Sequence, residues 1–146
     1  MITEKTLLEE AVERIKPLVS LNRVFVVTNK EQLPGIKKAL PKLPRKNILA
    51  EPTGRNTAAC IGWGIQEIAK QDPKAGVVVL PADHHIPETE LFVTTLKKAL
   101  SVARSLEAPV TLGIRPTFPS TGYGYLKRGA AIKGIPGAYR LQSFHE

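Results

Sequence analysis

The chain has 146 residues, 42% hydrophobic and 23% charged, with a net charge of +8 and one cysteine. That is one domain's worth of protein, with apolar runs far short of the ~20 residues that cross a bilayer and no possibility of an internal disulfide. The basic residues fall in separated pairs (Lys37-Lys38, Arg45-Lys46, Lys97-Lys98, Lys127-Arg128) without interleaved aromatics, which argues against nucleic acid and suits a site for phosphate-bearing small molecules.

In chain order, residues 1–5 lack a basic-then-apolar leader, so no secretory signal is expected and the cytoplasm is the expected compartment. Residues 6–15 have apolar side chains at helical spacing, closed by Pro17. Residues 23–29 read as a buried strand with a polar end, and a second helix covers about 30–40, interrupted or started near Pro34. Residues 47–50 form a short strand that runs into the loop Glu51-Pro52-Thr53-Gly54-Arg55-Asn56-Thr57. A third helix follows over 58–70, tolerating Gly62 and Gly64 where a neighbour comes close. Residues 76–80 read as a strand ending at Pro81-Ala82-Asp83, residues 88–105 as a helix and 109–114 as another strand. Residues 123–146 read as two strands separated by a glycine-rich connection at 129–137. Strands alternating with helices of this length predict an α/β fold, a mostly parallel sheet with helices on both faces.

A plain strand-to-helix turn needs a glycine and a cap. Glu51, Arg55 and Asn56 exceed that need, and they sit at the carboxyl end of a strand, where open α/β sheets bind ligands. Asn56 or Thr57 can cap the helix and leave backbone N–H groups for an anion or a base edge. Arg55 suits a ligand contact and a clamp on its own loop equally well. His84, His85 and His145 lack a Cys or Glu at useful spacing, which argues against zinc. Cys60 and Trp63 read as packing residues.

Three segments taken together, residues 51–60, 77–85 (VVVLPADHH) and 112–125 (LGIRPTFPSTGYGY), resemble the sugar-nucleotide nucleotidyltransferases, most closely the mannose-1-phosphate guanylyltransferases. The likeness runs from about Lys5 to the last residue. It implies a Rossmann-like nucleotidyltransferase domain, of which residues 1–146 are a part, and transfer of GMP from GTP to mannose 1-phosphate with Mg²⁺. On that likeness Asp83 is the catalytic metal-binding aspartate of the Leu-Pro-Ala-Asp-His motif; the alternative for it is a turn or capping aspartate. Glu51, Gly54, Arg55, Asn56 and Thr57 become nucleotide-binding candidates. Gly122, Tyr123, Gly124 and Glu146 become sugar-binding candidates. His84 matches the motif, and His85 is assigned nothing.

The family's opening strand and glycine-rich, GGxGTR-like triphosphate loop do not occur in these residues. The segment by itself is therefore expected to be inactive. Without that strand, the strands at 23–29 and 76–80 are expected to flank an empty slot, so the chain alone is expected to be unstable, or to fill the slot with a segment from another chain, as a homo-oligomer or by association through the open edge. A non-catalytic nucleotide-binding homologue and a transferase of different base or sugar remain the alternatives. No nucleic-acid or membrane partner is expected.

Overall fold

The structure, a computed structural model, describes residues 5–146, and the expectation placed on residues 1–4 lies outside them. The chain divides into two units, Met1–Leu100 and Ser101–Glu146. Among the described residues no helix is long and apolar enough to cross a membrane.

Helix α1 (Leu7–Ile15) starts where its sequence says it must. The Thr6 hydroxyl accepts the Glu9 N–H at 3.2 Å, and the Glu9 carboxylate accepts the Thr6 N–H at 2.8 Å, a reciprocal cap on two otherwise orphaned donors. Its inner face presents Ala11 and Val12, and Val12 packs with Leu40 and Leu43. Leu8, Leu21, Val24, Val26, Ala39 and Ile48 close round these three. Burying a side chain such as Leu43, 2% exposed, contributes about 1.5–3 kcal/mol.

A 3₁₀ turn (Leu21–Arg23) leads to β1 (Val26–Asn29), then to α2 (Leu33–Ala39) with Pro34 in its first turn, where a missing N–H costs nothing. A second 3₁₀ turn (Arg45–Asn47) opens β2 (Ile48–Glu51). The two strands pair in parallel, from Val26 opposite Ile48 to Asn29 opposite Glu51. Asn47 fixes this pairing at its start. Its side chain is fully buried, and Nδ2 donates to the carbonyls of Asn22 at 2.8 Å and Val24 at 2.9 Å.

Helix α3 (Asn56–Gln71) lies against β1, and a Cβ at Gly64 would stand 3.2 Å from Val27 Cγ2. The close approach expected at both helix glycines occurs at Gly64; Gly62 faces open space. Trp63 is half-buried. Helix α4 (Thr89–Leu106) begins in the first unit, where Val93 and Leu96 are buried.

Residues 76–80 and 109–114 correct the strand expectations made for them: neither segment belongs to a ladder. Alternation and β-branching describe what a strand can pack, but a ladder needs a second backbone to receive its N–H and C=O groups. In the second unit, β3 (Tyr125–Ala131) and β4 (Tyr139–His145) form an antiparallel hairpin with a register slip beyond Lys127. Strand β3 runs on through Gly129, which the sequence reading had placed in the connection. There a Cβ would meet the Arg140 carbonyl oxygen at 3.1 Å. The turn itself uses Gly134 and Gly137, both at positive φ. Helices together with a parallel strand pair make this an α/β chain.

Candidate functional site

Parallel pairing sets the geometry of the first cluster. The carboxyl ends of β1 and β2 lie side by side, with Asn29 opposite Glu51. Asn29 turns inward on its own loop, its Oδ1 accepting the Gln32 N–H at 2.9 Å. Glu51 is half-buried, whereas Gly54, Arg55, Asn56 and Thr57 are exposed along the passage into α3. Asn56 adopts φ of 64°, a left-handed conformation that Asn tolerates better than most residues.

The expected cap is not formed. Helix α3 begins at Asn56 itself with Arg55 in the cap position, and no side chain accepts a first-turn N–H there. Nor does the first turn contain an acidic residue. The amide donors and the positive end of the helix dipole are left to a ligand or to water. Burial, and secondly the charge of Glu51, push the Cys60 thiol up, so Cys60 stays protonated and is no nucleophile.

Asp83 is exposed, and among the described residues no hydrogen bond or ion pair engages its carboxylate. The two residues after it are fastened to α1. Arg14, 5% exposed, donates from Nη2 to the His84 carbonyl at 3.0 Å, with its guanidinium 5.6 Å from the Phe92 ring centroid. His85 Nδ1 meets Glu10 Oε2 at 3.0 Å. His85 therefore has a tethering contact where the sequence reading gave it none. An open cleft of about 310 Å³ lies between α1 and residues 85–89.

No group of three His, Cys, Asp or Glu residues that could hold a metal ion occurs among the described residues. A single free, exposed carboxylate does fit Mg²⁺ in the manner of nucleotide enzymes, where one or two carboxylates share the ion with substrate phosphates.

The second unit holds the third cluster. Tyr125 Oη accepts the Ser120 N–H and donates to the Ser120 carbonyl, both at 2.8 Å, and Ser120 Oγ accepts the Gly122 N–H at 3.2 Å. These bonds hold the base of a loop that presents Tyr123, 66% exposed. Any Cβ at Gly124 would overlap the Phe144 ring. Tyr125 pairs with His145, so one residue beyond that pair on each strand stand Gly124 and Glu146. Gly124 and Glu146 thus flank the open end of the hairpin, and Gly122 and Tyr123 lie in the loop that leads into β3.

The sequence reading gave no role to Glu10 or Arg14, and none of their own to Ser120 and Tyr125 within the segment 112–125. Arg14 carries a faint signal, an arginine in register with the apolar stripe of α1, three residues after Ala11.

The profile of the nucleotidyl transferase family matches residues 1–146. A mannose-1-phosphate guanylyltransferase of Escherichia coli is 36% identical over 118 residues, covering 80% of this chain and 24% of that protein. A putative mannose-1-phosphate guanylyltransferase of Vibrio cholerae is 30% identical over 145 residues, 99% of this chain and 30% of that protein. The xanthan biosynthesis protein XanB of Xanthomonas campestris is 34% identical over 148 residues, covering all of this chain and 30% of XanB. The chain spans about a quarter to a third of the length of these relatives.

Proposed function

The chain belongs to the nucleotidyl transferase family, and from that premise we propose that it serves mannose-1-phosphate guanylyl transfer, GTP and mannose 1-phosphate giving GDP-mannose and pyrophosphate. The observation that carries the reading is the placing of Glu51 and an uncapped helix start at the carboxyl end of a parallel strand pair. Relatives named for this reaction match over most of the chain.

An oxygen of the sugar phosphate attacks the α-phosphorus, forming the new P–O bond as the bond to the β-phosphate oxygen breaks and pyrophosphate leaves. Mg²⁺, when bound, supplies charge neutralisation on the phosphate oxygens. Asp83 is the residue that would hold it. The Glu51 carboxylate accepts from guanine N1–H and the exocyclic amine, a donor pair that adenine lacks. Arg55 and the first-turn N–H groups of Asn56 and Thr57 take phosphate or ribose oxygens, and Gly54 gives the loop its turn. Tyr123 covers the apolar face of the pyranose while Gly122 and Gly124 let backbone come close and Glu146 accepts from a hydroxyl.

The test is nucleotide preference. The chain titrated with GTP and with ATP, followed by ligand NMR, is expected to favour GTP by about tenfold, the usual worth of a bidentate polar contact. Glu51→Gln replaces one acceptor by a donor and is expected to abolish the preference. Equal binding of the two nucleotides, or a preference that survives Glu51→Gln, would refute the base assignment.

A further inference from the structure

We propose that Arg14, assisted by Glu10, is a positioning residue for Asp83: the α1 helix holds the loop that presents the metal-binding carboxylate. This rests on the reading of Asp83 given above and adds to it residues that lie far away in sequence.

Arg14 and His84 are 70 positions apart, Glu10 and His85 are 75 apart, and yet both pairs are in hydrogen-bonding contact. The grip falls on consecutive residues immediately after Asp83. A guanidinium almost wholly withdrawn from water is costly to bury unless its donors are used. Here it spends a donor on a main-chain carbonyl and rests its flat face near Phe92, at the start of α4. Simple α1 packing would be served better by a leucine at this inward position. A carbonyl held by a buried guanidinium removes freedom from the His84–His85 peptide, one unit beyond Asp83, while the Asp83 carboxylate itself stays exposed and unengaged among the described residues. Arg14 therefore acts on Asp83 through the main chain, one step further out than a partner bonded to the ligand itself. The lower grip, Glu10 on His85, stops the loop from rotating about the upper one.

The experiment is Mn²⁺ titration of the chain, read as paramagnetic broadening of the Asp83 amide, with hydrogen exchange of the amides of residues 83–85 and of Val12 and Leu40 measured alongside. In the unsubstituted chain broadening is expected to centre on Asp83 and to vanish in Asp83→Asn. Arg14→Leu is expected to raise the half-saturating Mn²⁺ concentration about tenfold, the scale of outer-partner losses at metal sites, and to speed exchange at residues 83–85 alone. Arg14→Lys keeps a donor for the His84 carbonyl and is expected to recover most of that loss. Broadening at Asp83 that Arg14→Leu leaves unchanged overturns the positioning role while the metal assignment stands. A loss of protection shared equally with Val12 and Leu40, or an Arg14→Lys chain no better than Arg14→Leu, also overturns it, by reducing Arg14 to packing. Absence of any Mn²⁺ effect at Asp83 in the unsubstituted chain overturns the metal assignment first and the positioning role with it.

Discussion

Asn47→Ala tests how the first cluster is held in place. Asn47 is fully buried, and its amide nitrogen serves the carbonyls of Asn22 and Val24 on the approach to β1, while its own chain position is the doorstep of β2. Removing the amide loses two hydrogen bonds, about 1 kcal/mol each, and leaves carbonyls to find water or go without. The deleted atoms leave a small cavity that adds about 1 kcal/mol. Against this, Asn47 Oδ1 is itself buried without a partner, and deleting it recovers about 1 kcal/mol. The net expectation is a loss of about 2 kcal/mol. Asn47→Asp keeps the shape but points a second acceptor at the two carbonyls and buries a charge, so it is expected to cost more, about 3–5 kcal/mol. Urea unfolding followed by Trp63 fluorescence and far-UV circular dichroism measures both. Because β2 ends in Glu51, the GTP binding proposed above should weaken as stability falls. An Asn47→Ala chain within 0.5 kcal/mol of the original, or Asn47→Asp no worse than Asn47→Ala, would refute the reasoning; the first bound lies below the value of about one hydrogen bond.

Tyr125→Phe deletes both bonds to Ser120 and should speed Ser120 amide exchange about tenfold with the circular dichroism spectrum unchanged; unchanged protection would contradict the clamp. Gly124→Ala must swing the Phe144 ring aside, an adjustment of about 0.5–1.5 kcal/mol because the ring is half exposed; Phe144 ring resonances that do not shift would contradict the overlap. Glu9 is held below the ordinary carboxylate value of 4.5 first by the Thr6 N–H and then by its hydroxyl, and Glu13 first by its hydrogen bond from Lys5. Lowered carboxylates contribute stability that is present above 4.5 and is lost as pH falls through their folded-state values. Helicity of α1 should therefore decline below about pH 4.5, and Glu9→Gln should flatten that decline; an identical acid profile in the variant would count against the cap. The outer edge of β1 carries no partner among the described residues, and Val79 in the unladdered segment is 51% exposed. The chain should associate at micromolar concentration in sedimentation velocity, less so as Val79→Lys; a monomer in both would refute association through open backbone.

Several local signals in the sequence match the structure. The apolar spacing over residues 6–15 marks α1, Pro34 sits in the first turn of α2, and the polar run at residues 51–57 marks the passage from β2 to α3. What the sequence could not reveal depends on distant partners. The segments at 76–80 and 109–114 have strand composition, but hydrogen-bonding neighbours are supplied by tertiary structure alone. Arg14 looks like a surface residue near the end of a helix until the His84 carbonyl is found against it. Asn47 likewise looks like a turn residue, and its buried amide is visible only once β1 and β2 are side by side. Capping misled for the opposite reason. Asn56 has the chemistry of a cap and a left-handed backbone, but no side chain there accepts a first-turn N–H, and those donors stay open.

The most direct measurement replaces the matching segment of the Escherichia coli relative by this chain and assays GDP-mannose formation from GTP and mannose 1-phosphate by chromatography and phosphorus NMR. The account predicts turnover in the chimera that falls at least about a hundredfold on Asp83→Asn, since one carboxylate carries the chain's share of the metal. A folded chimera that binds GTP but makes no GDP-mannose, or one whose turnover is indifferent to Asp83→Asn, would contradict it.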